Sequence, residues 1–361
     1  MAGQLSGRLP WWSWTWPVLA FAILGVKLLV GTPPILVVIA SATLVATVFA
    51  SVYHAEIVAH KVGEPMGTIV LAVAVTVIEV ALIVSALIIG GTASVGLPRD
   101  TVFAAVMIVC NGIVGLCLLV GGVKHFEQGF QLRGASAALA VLASLTTLTM
   151  VVPNFTTSKP GPVFTPAQLL FAGVASLVLY LAFIFVQTVR HRDYFLPEGG
   201  PEEIHAELPS TKTTALSSAL LLVSLVAVVA LAKSLTPTIE KGIEAAGIPR
   251  AVIGIVIAGL VLLPEGLAAV RAARLNRLQT SLNLALGSAL ASIGLTIPAV
   301  AVVSIMLHLP LSLGLTPKDM VLLFLTLLVS VITLGTGRTS VLQGIVHLVI
   351  LAAFLFLAVV P

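Results

Sequence analysis

The stretch LAVAVTVIEVALIVSALIIG, residues 71–90, decides the class of fold, because it is apolar throughout except for Thr76, Glu79 and Ser85. A transmembrane helix needs about 20 predominantly apolar residues, so this stretch is long enough to span a bilayer. An ionised side chain near the bilayer centre costs at least about 2.5–3.5 kcal/mol on insertion scales, and such residues commonly mark an ion or proton pathway. The stretch therefore predicts a membrane span that carries a functional acid, Glu79.

A second acid has the same setting. Glu265 lies within IAGLVLLPEGLAAV, residues 257–270. Each glutamate lies at least about eight residues from either end of its apolar run, which places it near the bilayer midplane at about 1.5 Å of helix per residue. The other twelve of the fourteen carboxylates fall in loops or at span ends. For either glutamate, the alternative is a structural side chain that is protonated and hydrogen-bonded.

The composition of the 361-residue chain excludes several classes of protein. Hydrophobic residues make up 59% of it and charged residues 9%, whereas soluble domains carry about 25% charged residues. A water-soluble enzyme, a disordered chain and a nucleic-acid-binding protein are therefore excluded. The net charge of +4 is small, and in a membrane protein Lys and Arg mainly set the orientation. The chain is predicted to be an all-α, polytopic membrane protein.

Apolar runs bounded by charge, Pro or Gly predict eleven transmembrane helices. They are expected at residues 17–31, 34–53, 66–90, 101–123, 135–153, 165–189, 214–234, 249–273, 281–307, 318–335 and 341–360. With the N-terminus inside, the inner segments hold eleven Lys and Arg residues and the outer segments hold seven. By the positive-inside rule, this bias predicts a cytoplasmic N-terminus.

The positions of the two glutamates predict an internal repeat. Each lies on the second helix of a five-helix half, and an odd number of helices per half forces the two halves into opposite orientations. Inverted repeats of this kind place the substrate site near the midplane, on interrupted helices. We expect an N-terminal segment with the first helix (1–33), a first five-helix repeat (34–189), a cytoplasmic acidic linker (190–213) and a second five-helix repeat (214–361).

Oxygen-bearing groups accompany these glutamates in the sequence. Thr76 lies three residues before Glu79 and therefore on the same helix face. Pro264 has no N–H, which leaves the carbonyl of Leu260 free to face a cation. The next helix of each half adds polar residues, which are Asn111 in the first half and Ser288, Ser292 and Thr296 in the second.

These residue types favour a hard cation, which takes oxygen ligands from carboxylates, carbonyls, hydroxyls and water. We expect Glu79 and Glu265 to carry the exchange of cation and proton. The candidate metal ligands are Glu79, Glu265, Thr76, Asn111, Ser288 and Ser292. Close helix packing is the alternative role for the hydroxyl row on the later helix. The seven histidines show no ligand spacing and are interpreted as loop or span residues.

The linker between the halves is the longest polar stretch. Its acids are Asp193, Glu198, Glu202, Glu203 and Glu207. Two roles stay open for it: a solvated connection, or a segment that senses cations in the cytoplasm.

Catalytic and cofactor motifs are missing from the sequence. It contains no G-x-S-x-G, H-E-x-x-H or Walker loop, the patterns that would indicate hydrolysis, a zinc protease or nucleotide binding. Cys110 and Cys117 are about 10.5 Å apart along a helix, too far for a disulfide. We therefore expect neither an enzyme nor a cofactor.

Four pieces of the chain resemble a known family. They are GEPMGTIVLAVAVTVIEVALIVSAL (63–87), GGVKHFEQGFQLRGASAAL (121–139), LPEGLAAVRAARLNRLQTSLNLALGSALASIGLTIP (263–298) and GRTSVLQGIVHLVIL (337–351). They are similar to the calcium/proton exchanger family of the calcium:cation antiporter superfamily, in particular its bacterial ChaA-type branch. The resemblance implies eleven spans, an inverted five-plus-five core, one repeat glutamate in each half (Glu79 and Glu265), and a bacterial inner-membrane location. It also implies an acidic stretch between the halves.

The sequence departs from that family's usual pattern at four positions. The G-N-A-x-E motif reads VTVIE at 75–79 and VLLPE at 261–265, so that Thr76 and Leu262 replace its asparagines. The histidine that usually follows the second glutamate is Gly266, and the glutamine of a later G-S-S-T-Q run is Ala291.

These observations predict a secondary antiporter that exports calcium, and sodium or potassium, in exchange for protons by alternating access at a two-glutamate site. Its partners are then these ions, protons and membrane lipid, and a homo-oligomer stays open. A cation channel or uniporter without proton exchange is the first alternative, and a membrane enzyme is the second.

Overall fold

The computed structural model describes residues 9–63, 66–196, 208–309 and 311–360. Twelve α-helices lie in the described chain: α1 (Trp11–Val30), α2 (Pro34–Val62), α3 (Met66–Gly90), α4 (Leu97–Met107), α5 (Val114–His125), α6 (Leu132–Thr146), α7 (Pro166–Phe185), α8 (Thr211–Ala245), α9 (Ala251–Arg274), α10 (Leu278–Leu307), α11 (Pro317–Leu334) and α12 (Val341–Val359). Two short strands, β1 (Gln128–Gly129) and β2 (Arg338–Thr339), pair antiparallel.

Eleven membrane-length spans are present among these described residues, which confirms the predicted number and order. α4 and α5 make one span, because the π-helical segment Ile108–Ile113 joins them. Three helices extend more than five residues beyond a predicted end: α1 begins at Trp11 instead of 17, α2 ends at Val62 instead of 53, and α8 ends at Ala245 instead of 234. Hydropathy detects only the apolar part of a helix, and these helices continue through polar residues.

The helix of Glu265 differs from the expected interrupted helix, since α9 continues through Pro264. A proline inside a membrane helix removes one backbone hydrogen bond, and groups from neighbouring helices can supply a new partner for the freed carbonyl. The irregular turns lie elsewhere in the described chain, in π-helical segments at Ile108–Ile113, Thr147–Val151 and Val186–Arg190.

A four-helix unit is formed by α1, α2, α3 and α8. Within it, α2 packs along both α8 and α1. Ala55, Ala74 and Leu221 form a buried cluster among these helices. At one end, Lys61 Nζ donates to the carbonyl of Pro209 at 2.9 Å, which ties the end of α2 to the segment before α8.

An eight-helix unit is formed by α4–α7 and α9–α12. α10 lies at its centre and contacts α4, α6, α7 and α9. α12 lies so close to α5 that a Cβ on Gly344 would be 2.8 Å from the carbonyl oxygen of Gly115. Each unit contains helices from both predicted halves, so the units are a different division from the repeats. The boundaries 1–33, 34–189, 190–213 and 214–361 stay predictions.

The start of the acidic linker packs against helices of the eight-helix unit. Asp193 lies in a 3₁₀ turn, Arg192–Phe195. Asn283 Nδ2 donates to the carbonyl of Phe195 at 2.6 Å. The linker acids Glu198, Glu202, Glu203 and Glu207 lie outside the residues that the structure describes.

Candidate cation site

The first candidate glutamate lies near the middle of α3, in the four-helix unit. Glu79 is 1% exposed, and Thr76, one turn earlier on the same face, is 7% exposed. Val73 and Val77, on a different side of the helix, are 46% and 43% exposed. A membrane helix with one side against lipid has this pattern. α3 thus presents a carboxylate and a hydroxyl on one buried face.

The second candidate glutamate lies on α9, in the eight-helix unit, where α10 packs against it. The Ser288 hydroxyl of α10 donates a hydrogen bond to Glu265 Oε2. The structure therefore brings together two of the site residues that the sequence singles out. A carboxylate and a hydroxyl at one point are ligands of the kind that hard cations prefer.

The other hydroxyls of the row on α10 are also buried. Ser292 is 3% exposed and Thr296 is 0% exposed. Tyr180 of α7 fills the space beside Gly294, between these two residues. The row thus lies within the helix packing, and Ser288 of this row hydrogen-bonds to Glu265.

Asn111 lies in the π-helical segment, fully buried. Its Nδ2 donates to Thr326 Oγ1 of α11 at 2.9 Å. Its Oδ1 is 3.1 Å from His347 Nδ1 of α12. The amide group is therefore hydrogen-bonded at both ends to neighbouring helices, a surrounding that differs from the one expected of a cation ligand.

Sequence reasoning missed the partners of Asn111. His347 is a span residue, as the sequence predicts; the structure buries it completely and places its Nε2 3.2 Å from Thr333 Oγ1. A usable signal did exist, because a histidine and an asparagine inside apolar runs each need buried hydrogen-bond partners. Spacing along the chain could not identify those partners, since they lie on separate helices.

The family model for the sodium/calcium exchanger protein matches residues 32–189 and 216–360. The chain belongs to this family. Among similar exchanger relatives, the sodium-potassium/proton antiporter ChaA of Escherichia coli is 34% identical over 346 residues, which is 94% of this chain and 93% of that one. The y4hA protein of Sinorhizobium fredii, provisionally named an ionic transporter, is 50% identical over 359 residues, 99% of this chain and 98% of its own.

Solved structures share the exchanger's fold. The match to native YfkE has a TM-score of 0.76 at 17% identity and covers 97% of this chain and 100% of that one. The match to the H⁺/Ca²⁺ exchanger CAX has a TM-score of 0.70 at 14% identity and covers 95% and 89%. The fold is thus an all-α membrane fold of eleven spans with two inverted five-helix repeats.

Proposed function

We propose that the protein is a secondary antiporter, not an enzyme, that moves cations out of the cytoplasm in exchange for protons, with Glu79 and Glu265 as its exchange groups. The hydrogen bond from Ser288 to Glu265 is the observation that carries the proposal. It supplies a carboxylate and a hydroxyl oxygen within a pair of membrane-spanning helices. An ionised acid in that environment raises the free energy of membrane insertion, and such acids typically belong to an ion or proton pathway.

Such a carboxylate has two competing ligands. When ionised, it binds a cation together with hydroxyl, carbonyl and water oxygens. When protonated, it is neutral and avoids the cost of an unpaired charge in apolar surroundings. If the site opens to the two sides of the membrane in turn, competition between cation and proton for the same oxygens couples the two fluxes. Each ligand then favours the conformations that bind it better.

We propose calcium, together with sodium or potassium, as the exported cations. The Escherichia coli relative is named a sodium-potassium/proton antiporter, and the solved neighbours include a Ca²⁺/H⁺ antiporter and an H⁺/Ca²⁺ exchanger. Thr76 and Leu262, in the two positions where the calcium/proton exchanger motif has asparagine, support mixed selectivity. Calcium takes about 6–8 oxygen ligands, so losing two amide oxygens weakens its site.

The protein is a multi-pass membrane protein. We propose a bacterial inner-membrane location with a cytoplasmic N-terminus, supported by the excess of Lys and Arg in the inner segments. Membrane lipid then surrounds the exposed apolar side chains of the helices. A homo-oligomer is compatible with this arrangement.

Everted membrane vesicles with a pH-sensitive dye test the proposal. After respiration acidifies the vesicles, calcium, sodium and potassium are added in turn to separate samples. Wild-type vesicles should release protons on addition of a transported cation, and vesicles with Glu265→Gln should not. Cation uptake without proton release would overturn antiport in favour of a channel or uniporter.

A further inference from the structure

A chain of buried hydrogen bonds connects three helices of the eight-helix unit. Its members are Met107, Asn111, Thr326, Thr333 and His347, which we call the Asn111–His347 chain. His347 and Asn111 are each 0% exposed, as is Thr326, and Thr333 is 3% exposed. The Asn111–His347 chain links the π-helical segment to α11 and α12.

The donors in this chain run in one direction. Asn111 Nδ2 donates to Thr326 Oγ1 at 2.9 Å, and that hydroxyl donates to the sulfur of Met107 at 3.3 Å. Asn111 Oδ1 can only accept, so His347 Nδ1 carries the hydrogen across their 3.1 Å contact. The Nε2 of a neutral His347 then accepts from the hydroxyl of Thr333 at 3.2 Å. Hydrogen bonds aligned in this way polarise and strengthen one another.

The π-helical segment also touches the helix of Glu265. Ile113 Cδ1 fills the space beside Gly266, where a Cβ would lie 3.1 Å from it. Two turns earlier, a Cβ on Gly259 would lie 4.0 Å from Ile108 Cδ1. α9 therefore rests on the π-helical segment at two glycines, one of which is next to Glu265. π-helical turns inside α-helices occur frequently at functional sites.

We propose that His347 is a positioning residue for transport. Through Asn111 it fixes the π-helical segment, and through Ile113 and Gly266 that segment fixes Glu265 against Ser288. Asn111 then acts as part of this support and not as a cation ligand. This inference rests on the proposed function, because it assigns Glu265 to cation binding.

Four variants test the proposal, and each is compared with the wild type. His347→Leu removes the imidazole with its contacts to Asn111 and Thr333. Thr333→Val removes the hydroxyl that reaches His347 with little change in volume, whereas Thr333→Ser keeps it. Thr146→Val is the matched control, because Thr146 is equally buried and its hydroxyl donates to the carbonyl of Leu142 within its own helix.

Two measurements are made on each variant: equilibrium binding of ⁴⁵Ca²⁺ to purified protein, and the half-saturating concentration and maximal rate of exchange in vesicles. His347→Leu and Thr333→Val should raise the dissociation constant and the half-saturating concentration about fivefold, the lower end of ordinary coupling between sites. The maximal rate per folded molecule should change less. In Thr333→Ser and Thr146→Val, the dissociation constant and the half-saturating concentration should stay within about twofold of the wild-type values. Both variants keep the hydrogen bonds of the Asn111–His347 chain.

Unchanged calcium binding in Thr333→Val, or equal defects in Thr333→Ser and Thr333→Val, would overturn the proposal while leaving antiport intact. If His347→Leu does not fold, the comparison of Thr333→Val with Thr333→Ser tests the proposal by itself. A wild type that binds calcium but releases no protons would overturn the proposed function, and the binding data would still judge the role of His347. A wild type that binds no calcium and releases no protons on addition of calcium, sodium or potassium would overturn both.

Discussion

Ser288 on α10 donates its hydroxyl hydrogen to the carboxylate of Glu265 on α9. The two residues are 23 positions apart in the sequence, and they meet because α9 and α10 are consecutive helices that pack against each other. A hydroxyl that points at a carboxylate stabilises its charged form. When a cation displaces this hydrogen bond, the same hydroxyl oxygen is in place to serve as a ligand.

Ser288→Ala should weaken cation binding more than it slows turnover. A hydroxyl contributes about 1.5–3 kcal/mol when it interacts with a charged group, so the loss of this ligand oxygen should raise the half-saturating cation concentration roughly tenfold or more. Proton release in everted vesicles at graded cation concentrations measures this change. Ser176→Ala is the control, because Ser176 is also buried (1% exposed, against 9% for Ser288) but its hydroxyl donates to the carbonyl of Ala172 in its own helix. A half-saturating concentration equal to that of the control would exclude Ser288 from the site.

Glu79→Gln and Glu265→Gln should each abolish exchange in protein that inserts and folds normally. The amide keeps the shape of the side chain but loses both the charge and the exchangeable proton. Glu127→Gln is the matched control, since Glu127 is an exposed acid whose ion pair with Arg338 is 3.8 Å long, and exposed pairs contribute about 0–1 kcal/mol. Cation-driven proton release that persists in either variant at normal expression would remove that glutamate from the mechanism.

Much of the fold could be predicted from hydropathy and charge alone. Eleven apolar runs predicted eleven spans, because the bilayer requires each span to satisfy its own backbone hydrogen bonds within an apolar helix. The polar ends of α2 and α8 could not be predicted in this way, because hydropathy detects only the apolar part of a helix. Lys61, for example, is a charged residue that continues α2, and its ammonium group bonds to Pro209, 148 residues away.

The candidate site could be predicted only in part. The expected position near the midplane selected Glu79 and Glu265 as candidates. The four-residue spacing of hydroxyls on the next helix selected Ser288, which the structure places against Glu265. The contact between His347 and Asn111 could not be predicted, because it joins residues 236 positions apart. The π-helical segment was also beyond reach, since nothing in the local sequence of Ile108–Ile113 distinguishes it from an ordinary α-helix.

Gly344→Ala should destabilise the eight-helix unit. An added Cβ would lie 2.5 Å from the backbone nitrogen of Leu119 and 2.8 Å from the carbonyl oxygen of Gly115, so α12 must move away from α5. Overpacking of this kind typically costs about 1–3 kcal/mol. Thermal unfolding in detergent should show a lower midpoint. Gly287→Ala, where no atom lies within 4 Å of the added Cβ, should match or exceed the wild type, and equal losses in both variants would contradict the explanation.

Neutralising the linker acids should leave basic exchange intact and change at most its sensitivity to cations. The variant replaces Glu198, Glu202, Glu203 and Glu207 by glutamine. These acids lie in a polar segment, far in the sequence from Glu79 and Glu265. Exchange rates in vesicles across a range of calcium concentrations measure the effect. Complete loss of transport at normal expression would show that part of the cation site lies in the linker.

Selectivity should be broader than that of a pure calcium exchanger. Thr76 supplies one hydroxyl oxygen in the first half, but Leu262 supplies no side-chain oxygen in the second. Calcium prefers about 6–8 oxygen ligands, so this loss weakens the binding of calcium most. The carbonyl of Leu260 loses its helical partner, because Pro264 has no N–H. This oxygen compensates in part for the lost ligands, and it can bind sodium or potassium as well as calcium. Wild-type vesicles should therefore respond to calcium and to at least one monovalent cation.

The pH dependence of these responses follows from the competition at the glutamates. Protons and cations bind the same carboxylate oxygens, so a rise in pH lowers proton occupancy and should lower the half-saturating concentration of every transported cation. The measurement compares calcium, sodium and potassium at matched proton gradients between about pH 7 and 9. Choline chloride at equal ionic strength is the control for unspecific salt effects. A response confined to calcium over this whole range would show that Thr76 and Leu262 do not relax the selectivity of the site.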